Sequence, residues 1–276
     1  MLILNRTYIG KGEDRRSKHS RRILRRSTMD HKAENMNILL TGTQGYRRGF
    51  IANHFLDNYR RKYNIYEYAG DIRDWDQDLT DFDMVVHLAA MAGVRMSHKK
   101  PDLYWDVNVV ASQKIFDSCV KHDVPIIYAS SSSIYEWWLS PYAMTKWTME
   151  HIAPDNSLGL RFHTVYGPNS REDMLYDMLQ QGKVDYLTNH TRDWTHVADV
   201  CSAIDVCITE FDALKNHVAV DVGNGAPVSV VDMADKVCPG NDLPVVAVSG
   251  EREHTLADPT ILIRHGWRPM HHVLDD

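Results

Sequence analysis

The chain has 276 residues, 43% of them hydrophobic, and a formal net charge of −6. That is enough apolar material for one large core, yet no apolar run is long enough to span a bilayer, and Cys119, Cys201, Cys207 and Cys238 lack the spacing of metal ligands or of a disulfide framework. The charge is unevenly spread: residues 1–36 hold ten Lys or Arg against four Asp or Glu, about +6, which leaves the remaining 240 residues at about −12.

An acidic body of that size argues against a nucleic-acid substrate, and reduced cysteines fit a cytoplasmic protein. The basic stretch Arg15–Arg26 carries no apolar stripe and is preceded by Glu13 and Asp14, so residues 1–36 read as a disordered leader rather than a targeting peptide. Met36 then looks like a natural start for the folded body.

From residue 37 strand and helix signals alternate. Asn37–Thr41 reads as a strand, Phe50–Arg61 as a helix and Tyr63–Tyr68 as a second strand. Met84–Leu88 is a buried strand, and a helix is expected over Pro101–His122. Pro125–Ala129 is the next strand, Tyr142–Ala153 a helix and Leu158–Phe162 a further strand. After Pro168 the pattern loosens, with a helix over Asp199–Phe211, a strand over Val218–Val222 and a helix over Val228–Val237. Such alternation predicts an α/β fold, a Rossmann-like doubly wound parallel sheet over residues 37–167. Residues 168–276 should then form a smaller, mainly substrate-binding part with some return to the sheet. Ligands in such sheets sit beyond the carboxyl ends of the strands, where the chemical motifs of this chain also fall.

Two motifs carry the chemistry. The first is the glycine-rich turn of Thr41-Gly42-Thr43-Gln44-Gly45-Tyr46-Arg47-Arg48-Gly49, between a strand and a helix. Glycines there let the backbone approach a pyrophosphate while the helix N-terminus faces its charge. The second is Tyr142-Ala143-Met144-Thr145-Lys146, downstream of Ser130-Ser131-Ser132-Ser133. Four-residue spacing on a helix puts Tyr142 and Lys146 on one face. A lysine ammonium beside a phenol is expected to lower the phenol pKa, giving a base for a sugar or alcohol hydroxyl. Either motif alone is weak; together, in order and at this separation, they are not.

With Gly70-Asp71-Ile72, His87-Leu88-Ala89-Ala90, Asn108, Leu160–Pro168, Arg192-Asp193-Trp194-Thr195-His196-Val197-Ala198-Asp199-Val200 and Gly266-Trp267-Arg268-Pro269, the chain resembles the extended short-chain dehydrogenase/reductase family. Within it the likeness is to NAD-dependent nucleotide-sugar epimerases of the UDP-glucuronate 4-epimerase kind, from about Met36 to the C-terminus. The resemblance implies Ser131, Tyr142 and Lys146 as catalytic. It implies a dinucleotide held by Gly42, Gly45, Arg47, Arg48, Gly49, Asp71, Ile72, Leu88, Ala89, Ala90 and Asn108, with Tyr142 and Lys146 also touching it. Thr164 and Arg192 would meet the substrate, Arg192 at the diphosphate, and Arg95 is equally placed to face a substrate carboxylate or to sit in a surface ion pair. No metal is implied, and a homodimer is usual.

The implied reaction is epimerisation of a nucleotide sugar by transient oxidation at C4, with tightly held NAD and no membrane or nucleic-acid partner. Dehydratases of the family place Asp-Glu where this chain has Ser132-Ser133, so dehydration is not expected. Three departures keep alternatives open. The glycines are spaced G-x-x-G-x-x-x-G; one placement takes Gly49 and Ala52 as the second and third small residues, with an inserted turn, and in either case Arg47 and Arg48 are positioned to pair with a 2′-phosphate, which admits NADP. The ribose-holding acid is absent or replaced by Glu67, in a shortened form like the family's NADPH-dependent 4-keto reductases. Only six residues separate Tyr135 from Tyr142, which predicts an open pocket. A non-enzymatic dinucleotide-binding protein would have no need of the Ser–Tyr–Lys set.

Overall fold

The computed structural model describes residues 35–44 and 49–275. The leader before residue 35 and the turn residues Gly45, Arg47 and Arg48 lie outside the described residues. Six parallel strands form the central sheet: β1 (Asn37–Thr41), β2 (Asn64–Glu67), β3 (Met84–His87), β4 (Ile126–Ser131), β5 (Ser157–Phe162) and β6 (Ala219–Val222). Their spatial order is β6-β5-β4-β3-β1-β2. The chain leaves β1 towards β2 on one side and returns to β3 on the other, so the order reverses between β1 and β3. A crevice opens at the carboxyl end of such a switch point.

Alternate residues of each strand face opposite layers, and both faces are covered. Ile38, Leu40, Val86, Ile127 and Leu160 join one core, against Phe55 of helix Phe50–Tyr59 and Val200 and Ile204 of helix Val197–Thr209. Leu39, Val85, Ile126 and Tyr128 join the other, against Ile115, Phe116 and Met149. Strands buried on both faces read as continuous apolar runs, which is why Met84-Val85-Val86 and Ile126-Ile127 are so uniformly hydrophobic.

The expected helix over Pro101–His122 is interrupted. Its α-helical ends, Pro101–Trp105 and Ser112–His122, flank a π-helical stretch, Asp106–Ala111. Asn108 sits in that stretch with no exposed surface. Its amide oxygen accepts from the Met91 N–H at 2.8 Å, and its amide nitrogen donates to the Met91 carbonyl at 2.9 Å and to Thr145 Oγ1 at 3.0 Å. The widened turn aims one amide at both the loop after β3 and the helix that carries Lys146. Single π turns of this kind are tolerated where they re-aim a side chain.

Beyond Pro168 the chain both returns to the sheet and builds a separate layer. β6 pairs with β5, and Leu262 and Trp267 are buried in the first core. A third core gathers Tyr166, Leu179, Leu187, Trp194, Val228 and Met233 beside the sheet's carboxyl end.

His87, at the end of β3, is fully buried between Thr41 Oγ1 at 2.8 Å and Ser112 Oγ at 2.9 Å. Burial, with the nearby Lys146 charge, lowers its pKa from 6.5 to about 3. The unfolded chain therefore takes up this proton first as pH falls. The His87 contribution to stability should be complete above about pH 6.5 and shrink towards pH 3, by at most about 1.4 kcal/mol per unit. Denaturant unfolding of wild type and His87→Gln at pH 7.5, 5.5 and 4.5 should show the gap between them narrowing with acid.

Candidate active site

The switch-point crevice is lined at its narrowest by Gly42 and Gly49. Gly42 has φ +97°, and a Cβ there would lie 2.7 Å from the Ala89 nitrogen. A Cβ on Gly49, which precedes helix Phe50–Tyr59, would lie 1.9 Å from the Gly42 carbonyl oxygen. Only glycine fits at either place, so the small-residue requirement falls on Gly42 and Gly49, with buried Ala52 following. Thr43 Oγ1 is buried without a hydrogen-bond partner among the described residues. A backbone cradle with an unspent hydroxyl suits a dinucleotide diphosphate.

Glu67 ends β2 and accepts a 3.4 Å hydrogen bond from Gln44, which puts a carboxylate beside the glycine-rich segment. Asp71 and Ile72 stand just beyond, outside the main cleft. The Asp71 carboxylate caps the short turn Ile72–Asp74 and pairs with Arg73 at 2.6 Å, which holds its pKa at about 2. Ile72 is buried in the second core, under that turn.

Tyr142 and Lys146 stand on the helix Pro141–Ile152. Ser140 caps it, its hydroxyl accepting from the Ala143 N–H at 3.1 Å, and Pro141 occupies the first turn. Such a cap contributes about 1 kcal/mol. Tyr142 stands in the first turn, half-buried, with its phenol near enough to Ser131, at the end of β4, for that hydroxyl to act on its pKa. Ser131 Oγ also accepts from the Ser133 N–H at 3.2 Å. One turn along, Lys146 is 1% exposed and donates to the Ala129 carbonyl at 2.7 Å.

The electrostatics correct one expectation. Burial raises the Tyr142 pKa above its ordinary 10, against the opposing pull of the Ser131 hydrogen bond and the Arg171 charge. Burial also lowers the Lys146 pKa to about 7, with the Glu150 charge working the other way. Lys146 is thus only about half protonated near neutrality. The Lys146 ammonium does not bring the phenol below its ordinary value: the groups that act on Tyr142 are Ser131 and Arg171, and desolvation outweighs both.

A cleft of about 800 Å³ opens over these groups. It brings together Gly49, Leu88, Ala90, Ser131, Tyr142 and Lys146 with Arg95, Thr164 and Arg192. Ala89 lies behind, its N–H bonded to Thr41 Oγ1 at 3.1 Å. Asn108 does not reach the cleft; its part is to position the loop after β3 and the helix Pro141–Ile152.

Sequence reasoning missed several residues that tertiary packing adds. Arg171, paired with Asp173 at 3.0 Å, lines the cleft close enough for its charge to act on Tyr142. Arg252 lines it too, donating to the Ser132 carbonyl at 2.9 Å and lying over the Tyr135 ring. Glu150 backs the site: it accepts from Ser130 Oγ and pairs with Arg161 at 2.8 Å. Glu150 had a readable signal, four residues past Lys146 on the same face. Arg171 and Arg252 had none.

With this geometry in place, the match to known proteins is informative. The model of the NAD dependent epimerase/dehydratase family matches residues 38–223, and the chain belongs to that family. An uncharacterized protein of Methanocaldococcus jannaschii is 29% identical over 257 aligned positions, covering 71% of this chain and 78% of that one. UDP-glucuronate 4-epimerase 4 of Arabidopsis thaliana is 28% identical over 306 positions, covering 82% and 67%. Among solved structures, MoeE5 in complex with UDP-glucuronic acid and NAD aligns with a TM-score of 0.72 at 27% identity, over 86% of this chain and 95% of that one. A mutant of UDP-glucuronic acid 4-epimerase from Bacillus cereus, bound to a fluorinated UDP-glucuronic acid and NAD, gives 0.74 at 25% identity, over 87% and 96%. No helix among the described residues is long and apolar enough to cross a membrane.

Because Lys146 is buried with a depressed pKa, it costs stability at neutral pH. The folded protein releases the proton above about pH 7 and the unfolded chain only near 10.5, so stability from this group rises with pH across that window. Lys146→Met should be more stable than wild type by about 1–4 kcal/mol at pH 7, with the advantage shrinking towards pH 10. Denaturant unfolding at pH 6.5 and 9.5 checks both sign and window.

Proposed function

We propose that this protein is an NAD-dependent 4-epimerase of a nucleotide sugar, acting on a UDP-hexuronic acid. The observation that carries the reading is the meeting of Ser131, Tyr142 and Lys146, the last one helical turn from Tyr142, in a cleft also lined by Arg95, Arg171, Arg192 and Arg252.

Bound NAD would accept a hydride from the sugar carbon and return it to the opposite face. The protein's own groups handle the proton and the charge. Tyr142 takes the proton of the C4 hydroxyl and gives it back. Ser131 donates to the same oxygen as negative charge develops there. Lys146 holds the ribose hydroxyls next to Tyr142, a contact that would add to the Ala129 carbonyl further polar partners for the ammonium. Gly42 and Gly49 admit the diphosphate of the dinucleotide, and Glu67 takes its adenosine ribose. Arg192 and Arg252 match the diphosphate of the substrate, where guanidinium geometry favours bidentate contact. Arg171, within electrostatic reach of Tyr142, suits the hexuronate carboxylate, and Thr164 lies beside it in the cleft. Leu88 and Ala90 pack against the dinucleotide. The relatives and solved structures that act on or hold UDP-glucuronic acid support the choice of sugar.

The cleft wall offers Ser132 and Ser133 where dehydration would call for carboxylates, which favours epimerisation. The 4-keto reductase remains the second reading, favoured by the single strand, β2, outside β1. The two differ in whether cofactor is consumed. The apolar residues Trp105, Val110 and Met144, each exposed on the helices from Pro101 to His122 and from Pro141 to Ile152, fit a homodimer built on that face. A cytoplasmic location accords with three buried, unpaired cysteines.

Heat release of the dinucleotide from purified protein, identified by mass, should give NAD, and UDP-glucuronate should then be converted without added cofactor. Strict dependence on added NADPH would establish the reductase instead. Tyr142→Phe should lose about 10²–10⁴-fold in turnover while keeping its melting temperature and retained dinucleotide. Normal turnover by that variant would exclude Tyr142 as the base.

A further inference from the structure

Three guanidinium groups line the cleft from three parts of the chain: Arg95 from the helix Val94–Lys99, Arg192 from the strand Thr191–Arg192, and Arg252 from the loop before Thr255. Arg192 is fixed before any ligand arrives. It donates to the Thr191 and Glu253 carbonyls, each at 3.0 Å, and lies 2.8 Å from His190 Nδ1. Burial pulls its pKa below the ordinary value, Glu251 works against that, and Arg252 and Arg95 add to it. The three cations therefore feel one another.

One carboxylate sits among them. Glu251 Oε1 accepts from Arg95 Nε at 2.7 Å, and Oε2 lies 3.8 Å from Arg192. Its side chain is 17% exposed, and Arg95 rests over the Tyr186 ring on its other side. A carboxylate facing two guanidiniums has the chemistry of an anionic ligand.

We propose that Glu251 is a specificity-determining residue that occupies the anion seat between Arg95 and Arg192, so that a nucleotide sugar must displace it with its own diphosphate. This rests on the nucleotide-sugar reading of the cleft. It makes binding conditional on charge. A diphosphate exchanges one anion for a stronger one, whereas a neutral nucleoside has nothing to exchange and leaves Glu251 in place. The exchange frees no arginine to stand unpaired in a half-buried site, where an uncompensated charge is costly.

The test is calorimetric titration of the purified holoprotein with UDP and with uridine. Glu251→Gln should bind UDP roughly three- to tenfold more tightly than wild type, with uridine unchanged. Added to Glu251→Gln, the second substitution Arg95→Gln should weaken UDP binding more than it does in wild type, because Arg95 is then fully available to the ligand. The opposite results, UDP binding unchanged or weakened by Glu251→Gln and a smaller Arg95→Gln effect in the double variant, would make Glu251 a scaffold for the arginines and overturn the proposal. Unchanged melting temperature and retained dinucleotide establish that the variants fold. Failure of wild type to bind UDP at all would instead sink the nucleotide-sugar reading itself, and the proposal with it.

Discussion

The site depends on a polar seam driven through an apolar interface. Helix Pro141–Ile152 packs on β4 with Met149 in the second core, yet its Lys146 and Glu150 both reach the strand. Lys146 donates to the Ala129 carbonyl, and Glu150 accepts from Ser130. Two consecutive strand residues are thus tied to two consecutive turns of the helix, and Ser131 comes next in line, opposite Tyr142. Apolar packing alone tolerates a slide of an ångström or a small rotation; a pair of charged hydrogen bonds in fixed register does not. The placing of Tyr142 against Ser131 is thus set by contacts one and two turns further along the same face of the helix.

The same seam shows what such placement costs. A lysine with almost no exposed surface is held in a seat that disfavours its charge, and the phenol beside it is likewise disfavoured as an anion. Both groups are poised towards neutrality in the protein alone. The arginines that line the same cleft are the reverse case, charged and already partnered. The cleft thus holds two groups that favour neutrality among several fixed cations, a combination suited to an anionic ligand.

Most of the fold was legible because the sheet is buried on both faces and its strands and helices obey simple periods. β1 matched the expected bounds, and Phe50–Tyr59, Pro141–Ile152 and Ser157–Phe162 fell within two residues of them. The helix interruption at Asn108 was not legible, since Asp106-Val107-Asn108-Val109-Val110-Ala111 carries no Gly or Pro to mark it; the cause is tertiary, an amide serving two distant partners. The Ser–Tyr–Lys set was legible from order and spacing. The sign of the Tyr142 shift was not, because spacing reports proximity and says nothing of desolvation. Arg171 and Arg252 were invisible for a related reason: each sits in a polar stretch without period, and only the folded chain brings them to the cleft.

The last strand of the sheet carries a further consequence. β6 lies past residue 218, and the tryptophan that closes the first core, Trp267, lies later still. Helix Val197–Thr209 fills the same core from the segment between β5 and β6. An emerging polypeptide therefore holds β1 to β5 and the whole Ser–Tyr–Lys set well before it can seal one face of its sheet. Until about four-fifths of the chain has left the ribosome, β5 is an open edge over uncovered Leu158 and Leu160, a surface open to chaperones and to mispairing. Substrate-side and cofactor-side segments, distinct in chemistry, are then a single cooperative unit in folding, and a damaging change near the C-terminus should be felt at the dinucleotide site as loss of protein rather than loss of affinity.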